Sequence, residues 1–111
     1  MGAIDWLGYK LETSDRAPLT QGSFIPLVLY FRARSKPGTD LPLILQLRDQ
    51  GENVLAQARA LETYPTSQWD KDEIVRDVQS LEIPADALPG EYRIVLLDGN
   101  QVFDVTKVRV R

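Results

Sequence analysis

The sequence predicts an all-β fold in which two antiparallel sheets pack face to face around one apolar interior. Three observations carry that reading. Apolar residues recur at every second position in about seven short segments, as half-buried strands require. Turn-forming residues separate those segments at roughly ten-residue spacing, the punctuation of a sandwich. No apolar pattern of helical period runs to a convincing length.

The stretch 86–100 organises the others. Pro89 fixes its own φ and offers no N–H to a sheet, and Gly90 permits the chain to reverse. Tyr92, Ile94 and Leu96 then share one face of a strand. Asp98-Gly99-Asn100 supplies the positive-φ residues of a tight hairpin. A Pro-Gly-x-Tyr corner ahead of a core strand is similar to the tyrosine corner of immunoglobulin-like sandwiches. The expected fold is therefore an immunoglobulin-like antiparallel sandwich, one domain over 4–111.

The other elements follow in order. Segment 4–11 alternates as a first strand, with Leu7, Tyr9 and Leu11 opposite Ile4, Trp6 and Gly8. Residues 13–23 read as a loop through Pro18 and Gly22. Segment 24–34 is the clearest strand: Ile25, Leu27, Leu29, Phe31 and Ala33 share one face, and Pro26 marks an end that is unpaired on one side. After the turn at 35–40 comes a strand over 41–48, with Leu43, Leu45 and Leu47 inward. The turn 49–53 returns the chain into 54–61, whose alternate alanines suit helix or strand; the hairpin-like turn favours strand. Segment 74–83 contradicts itself, because Ile74 and Val78 have one parity and Leu81 and Ile83 the other. A β-bulge or twist between Asp77 and Ser80 is the expected resolution. Residues 101–111 close the chain as a last strand with Val108 and Val110 inward.

Composition narrows function. The 111 residues contain no cysteine and no histidine, which removes disulfides, thiolate ligands and the commonest general base and metal ligand. A net charge of −3 argues against general nucleic-acid binding. No apolar run approaches the ~20 residues of a membrane helix, and no signal peptide opens the chain. No cofactor and no metal is expected, and neither is an enzyme. Asp49 and Glu52 can be drawn as an acid and base pair, but no cleft surrounds them in the sequence pattern. Asp70, Asp72 and Glu73 lack the spacing and glycine of a calcium loop and read as a solvated acidic turn.

Two surfaces are candidates for binding. In the loop 64–69, exposed Tyr64 and Trp69, with Thr66 between them, can stack on and hydrogen-bond a glycan. The competing reading tucks both rings under the loop to cap the open end of the sandwich. Parity also directs Ile44, Arg48, Arg93, Val95, Leu97 and Val105 outward, provided that no bulge intervenes. That face is too apolar for a solvated sheet. It reads either as partly covered by the chain itself or as a docking surface. The partner there is the rest of a parent membrane protein, another protein or second copy, or anionic head groups.

Trp6-Leu7-Gly8-Tyr9-Lys10-Leu11, Tyr64-Pro65-Thr66-Ser67-Gln68-Trp69 and Leu88-Pro89-Gly90-Glu91-Tyr92-Arg93 occur together in one order and spacing. In this the chain resembles the soluble β-sandwich domain C-terminal to the membrane spans of bacterial glycosyltransferases of the mannosyltransferase-like superfamily. Leu29-Tyr30-Phe31-Arg32-Ala33 is similar to that group's second strand, with Phe31 in place of a tryptophan. Asp70-Lys71-Asp72-Glu73 departs from it where Pro-Gly is usual. The resemblance implies an extracytoplasmic, non-catalytic accessory module, a piece of a longer membrane-associated protein. A carbohydrate-binding module is the alternative.

Overall fold

The computed structural model describes residues 2–12 and 19–111. Seven strands form two antiparallel sheets: β1 (Ile4–Leu11), β2 (Phe24–Ala33), β3 (Leu43–Arg48), β4 (Val54–Arg59), β5 (Ile74–Glu82), β6 (Gly90–Asp98) and β7 (Gln101–Val110). The three-stranded sheet has the order β1-β2-β5 and the four-stranded sheet the order β4-β3-β6-β7. This is the predicted β-sandwich. Most of the expected loop 13–23 lies outside the described residues.

The core follows from period-two alternation on both inner faces. Ile25, Leu27, Leu29, Phe31 and Ala33 of β2 are fully buried against Leu43, Leu45 and Leu47 of β3 and Ile94 and Leu96 of β6. Pro26 sits just past the last β1–β2 pair, Leu11 with Leu27, where the missing N–H interrupts no ladder. Its carbonyl still accepts from Glu12 N–H at 2.9 Å. The tyrosine corner is present: Tyr92 is buried and its hydroxyl donates to the Leu88 carbonyl. Tyr92→Phe should therefore destabilise the fold by about 1 kcal/mol, read from urea denaturation. Gly99 at φ 58 heads the two-residue turn between Asp98 and Gln101, as the sequence required.

Three details differ from strict alternation. In β1 the register shifts between Trp6 and Gly8, where Gly8 has φ 153, a value that side chains disfavour. Ile4 and Trp6 pack inward before the shift and Leu11 after it, and Leu7 and Tyr9 are exposed. A second shift, at Ile94/Val95 in the β6–β7 pairing, rotates Val105 into the core, so it does not belong to the outer face that parity assigned it. The third correction concerns β5. No bulge lies between Asp77 and Ser80, because β5 pairs with β2 without interruption from Ile74 to Glu82. The parity conflict resolves differently: Ile74 and Val78 point to solvent at 65% and 62% exposure, and the polar Asp77 faces inward.

Asp77 is inward for a reason. Its Oδ2 accepts Leu61 N–H at 2.9 Å, where the chain leaves β4 to cross to the other sheet, and Gln79 Nε2 at 2.7 Å from within β5 itself. Ala60 N–H donates to the Leu43 carbonyl, so the next N–H along the chain, that of Leu61, faces the open edge of β4 and takes a side-chain acceptor instead.

Candidate binding face

The loop from β4 to β5 is structural throughout. Trp69 is fully buried, its ring 6.1 Å from Phe31 and 6.1 Å from Tyr64, and its indole N–H donates to the Tyr64 carbonyl at 3.0 Å. Thr66 is buried in a short 3-10 turn, Thr66–Gln68. Its hydroxyl donates to the Thr39 carbonyl at 2.6 Å and accepts Leu41 N–H at 2.9 Å. Ser67 N–H adds a bond to Asp40 Oδ1 at 3.1 Å; the Ser67 hydroxyl first, and this N–H with it, hold that carboxyl below its usual range. Two of the three inter-sheet connections, β2 to β3 and β4 to β5, are thus sewn together at one end of the sandwich. Tyr64 is half-buried, and its hydroxyl donates to Glu73 at 2.7 Å, a bond that raises its pKa. Trp69 offers no ring face to a sugar and caps the core, whereas Tyr64, the other ring of the loop, is only half-buried. Asp70 pairs with Lys36 at 3.3 Å and Asp72 with Arg32 at 3.1 Å, so each acid of the turn has a partner. Among the described residues no cluster of potential ligands could hold a metal ion.

The outer face of the four-stranded sheet is different. Cross-strand pairing sets its side chains in rows. Arg59, Ile44, Leu97 and Val102 make the first row, Gln57, Gln46, Val95 and Asp104 the second, and Val54, Arg48, Arg93 and Lys107 the third. Five of the six residues expected there are present, with Val105 the exception. The residues that the sequence did not mark supply the polar links between them.

Those links form one chain of hydrogen bonds across all four strands. Gln46 Nε2 donates to Gln57 Oε1 at 3.2 Å, and Arg48 Nε donates to Gln46 Oε1 at 3.0 Å. Arg48 Nη1 donates to Glu52 Oε2 at 3.2 Å. Arg93 then donates to Glu52 with one nitrogen and to Asp104 Oδ1 at 2.6 Å with the other. The Asp104 bond, with the nearby Glu52 charge, pushes the Arg93 guanidinium above its ordinary value. Val95 lies fully buried in the row between Gln46 and Asp104.

Glu52 reaches this chain because its turn is fixed. Asp49 accepts Gly51 N–H and Asn53 N–H at 2.9 Å each and Asn53 Nδ2 at 3.1 Å. Those bonds, the Asn53 N–H first, hold the Asp49 carboxyl below its usual range. Asp49 and Glu52 thus serve the turn and the face. Only their sequence spacing suggested chemistry.

Two hollows flank the polar chain. One of about 310 Å³ is lined by Pro42, Ile44, Gln57, Ala58 and Arg59. The other, about 210 Å³, is lined by Asp49, Gln50, Glu52, Glu91, Arg93 and Lys107. From Ile44 to Arg48 along β3 is about 13 Å at ~3.3 Å per residue, a length suited to an extended ligand. A larger groove of about 540 Å³ lies at one end of the sandwich, between the 49–51 turn and the Pro84–Tyr92 corner.

No family model matches the sequence, and no curated protein matches it. A solved structure does match the whole chain: the C-terminal domain of wzt, with a TM-score of 0.65 at 12% identity, over 100% of this chain and 75% of that one. The glycosyltransferase resemblance is corrected by that finding, since the full-length structural likeness is to a different kind of protein. The extracytoplasmic placement rested on that resemblance alone and falls with it. The short motifs that suggested it are explained by the fold: the tyrosine corner, the Gly8 bulge and the buried Trp69 cap are demands of a sandwich. In architecture the chain is a β-sandwich of the kind seen in the C-terminal domain of wzt.

Proposed function

We propose that this chain is a non-catalytic, carbohydrate-binding accessory domain that engages an extended bacterial glycan on the outer face of its four-stranded sheet. The observation that carries this is the Gln57–Gln46–Arg48–Glu52–Arg93–Asp104 chain between two hollows. Sugar hydroxyls donate and accept at once, and side-chain amides, guanidinium forks and carboxylates match that pattern. The face is already ordered by its own bonds, so little conformational entropy opposes binding. Ile44, Leu97 and Val102 supply an apolar row for sugar C–H surfaces. The fold likeness is compatible with this, since the whole chain matches the C-terminal domain of wzt. On this reading its partners are a glycan and the rest of a larger protein that carries the domain.

The test is calorimetric titration of the protein with a panel of delipidated bacterial O-polysaccharides, covering neutral and uronic-acid-containing repeats. Saturable binding by at least one polysaccharide is expected. Gln46→Ala, which cuts Gln57 off from Arg48 and the rest of the chain, should weaken it at least about ten-fold, equivalent to ~1.4 kcal/mol. Absence of heat with every polysaccharide at millimolar repeat-unit concentration would overturn the assignment.

A further inference from the structure

We propose that two copies of this chain pair through the free edge of β5, joining their three-stranded sheets into one continuous six-stranded sheet. The inference is independent of the glycan reading. Ile83 N–H donates to the Ser23 carbonyl and Ala33 N–H to the Glu73 carbonyl, which fixes the phase of the β2–β5 ladder at both ends. Odd-numbered residues of β5 therefore bond to β2. Ile74, Arg76, Val78, Ser80 and Glu82 turn their N–H and C=O groups to the open edge, where no strand is hydrogen-bonded to β5 among the described residues; β4 of the other sheet lies beside that edge and reaches it only through the Gln79 side chain, which donates to the Arg59 carbonyl.

Exposed edges are usually blunted by bulges, prolines or lysines. The other three edge strands here, β1, β4 and β7, each show a register shift against their neighbours. β5 shows none over nine residues, and its sequence contains neither proline nor lysine. Its outward side chains include Ile74 and Val78, both exposed by more than half.

The occupant is identified as a second copy because the edge is complementary to itself. An antiparallel pairing about a two-fold axis at Gln79 sets edge-facing residues against edge-facing residues. Arg76 then lies opposite Glu82 of the other copy, twice, and Val78 lies opposite Ser80. The two Val78 side chains become diagonal neighbours on the same face. Arg76 is available for this, since its ion pair within the chain, to Glu12, is long at 3.7 Å and solvent-exposed. The four-stranded faces stay open on both copies, so a dimer presents two glycan-binding faces to one repeating polymer.

Sedimentation velocity across a concentration series tests the pairing. The wild-type mass should rise toward twice that of the monomer as concentration increases. Arg76→Glu alone and Glu82→Arg alone each place like charges opposite one another and should remain monomeric. Their equimolar mixture restores both opposite-charge pairs, as does the double variant, and both should dimerise. All these positions are exposed, and circular dichroism melts verify that each variant is folded. A wild type that stays monomeric throughout overturns the proposal, as does a dimer indifferent to both single reversals.

Discussion

Trp69→Ala should destabilise the protein by about 3–5 kcal/mol, the range for emptying a large aromatic site in a packed core. Folding stabilities of domains this size are about 5–15 kcal/mol, so the variant loses a large share of its margin. The site has little means of collapsing. Phe31 and Tyr64 hold their positions against the indole from different elements, and Tyr64 is itself tied to Glu73. The loss also strands the Tyr64 carbonyl that received the indole N–H. Trp69→Phe keeps most of the volume and should cost distinctly less. Urea denaturation followed by far-ultraviolet circular dichroism gives both values. A loss below about 1 kcal/mol for the alanine variant would mean that the loop is not a cap.

The second large effect concerns Asp77. Its replacement by alanine should cost about 1–3 kcal/mol, because the Leu61 N–H is left without an acceptor in a buried site. Asp77→Asn retains a carbonyl oxygen at the same reach and should recover much of the loss. That ordering separates hydrogen bonding from shape, which leucine would fill equally well. Asp77→Leu should therefore be as damaging as alanine or worse. Equal stability of the leucine variant and wild type would show that the N–H finds another partner. Urea midpoints at constant m-value decide between these outcomes.

Asp77 also marks the limit of what alternation reveals. The inward faces of β2 and β3 were legible because every inward residue there is apolar. In β5 one inward position carries a carboxylate, and two outward positions carry Ile74 and Val78. Hydropathy alone makes such a strand look broken, although its backbone register is continuous. The acceptor role of Asp77 depends on Leu61, sixteen residues earlier in the chain, and local sequence patterns do not record that relation. Val105 is the converse case: its parity was plain, and a bulge in its own strand, which leaves Val105 without a partner on β6, reversed it.

The candidate face was legible to the same degree. Ile44, Arg48, Arg93, Val95 and Leu97 share the face that their parity assigned them, since β3 and β6 pair without a shift. The rest depends on neighbours distant in sequence. Gln57 joins through β4, Asp104 through the β7 bulge, and Glu52 through a turn held by Asp49. Gln46 and Gln57 facing each other across a hairpin is the signal that reading the strands pairwise could have found. The aromatic loop misled for a physical reason: tyrosine and tryptophan beside Pro-Thr-Ser suit a sugar platform and a buried cap equally well. Exposure separates the two, and Trp69 has none.

Site-resolved amide chemical shifts during titration with a binding O-polysaccharide test the account most directly. The largest changes should fall on Ile44, Gln46, Arg48, Arg93 and Leu97, with the Trp69 indole resonance unmoved. Shifts concentrated at residues 64–69, or around the groove beside the Pro84–Tyr92 corner, would contradict the assignment of the glycan to the four-stranded face.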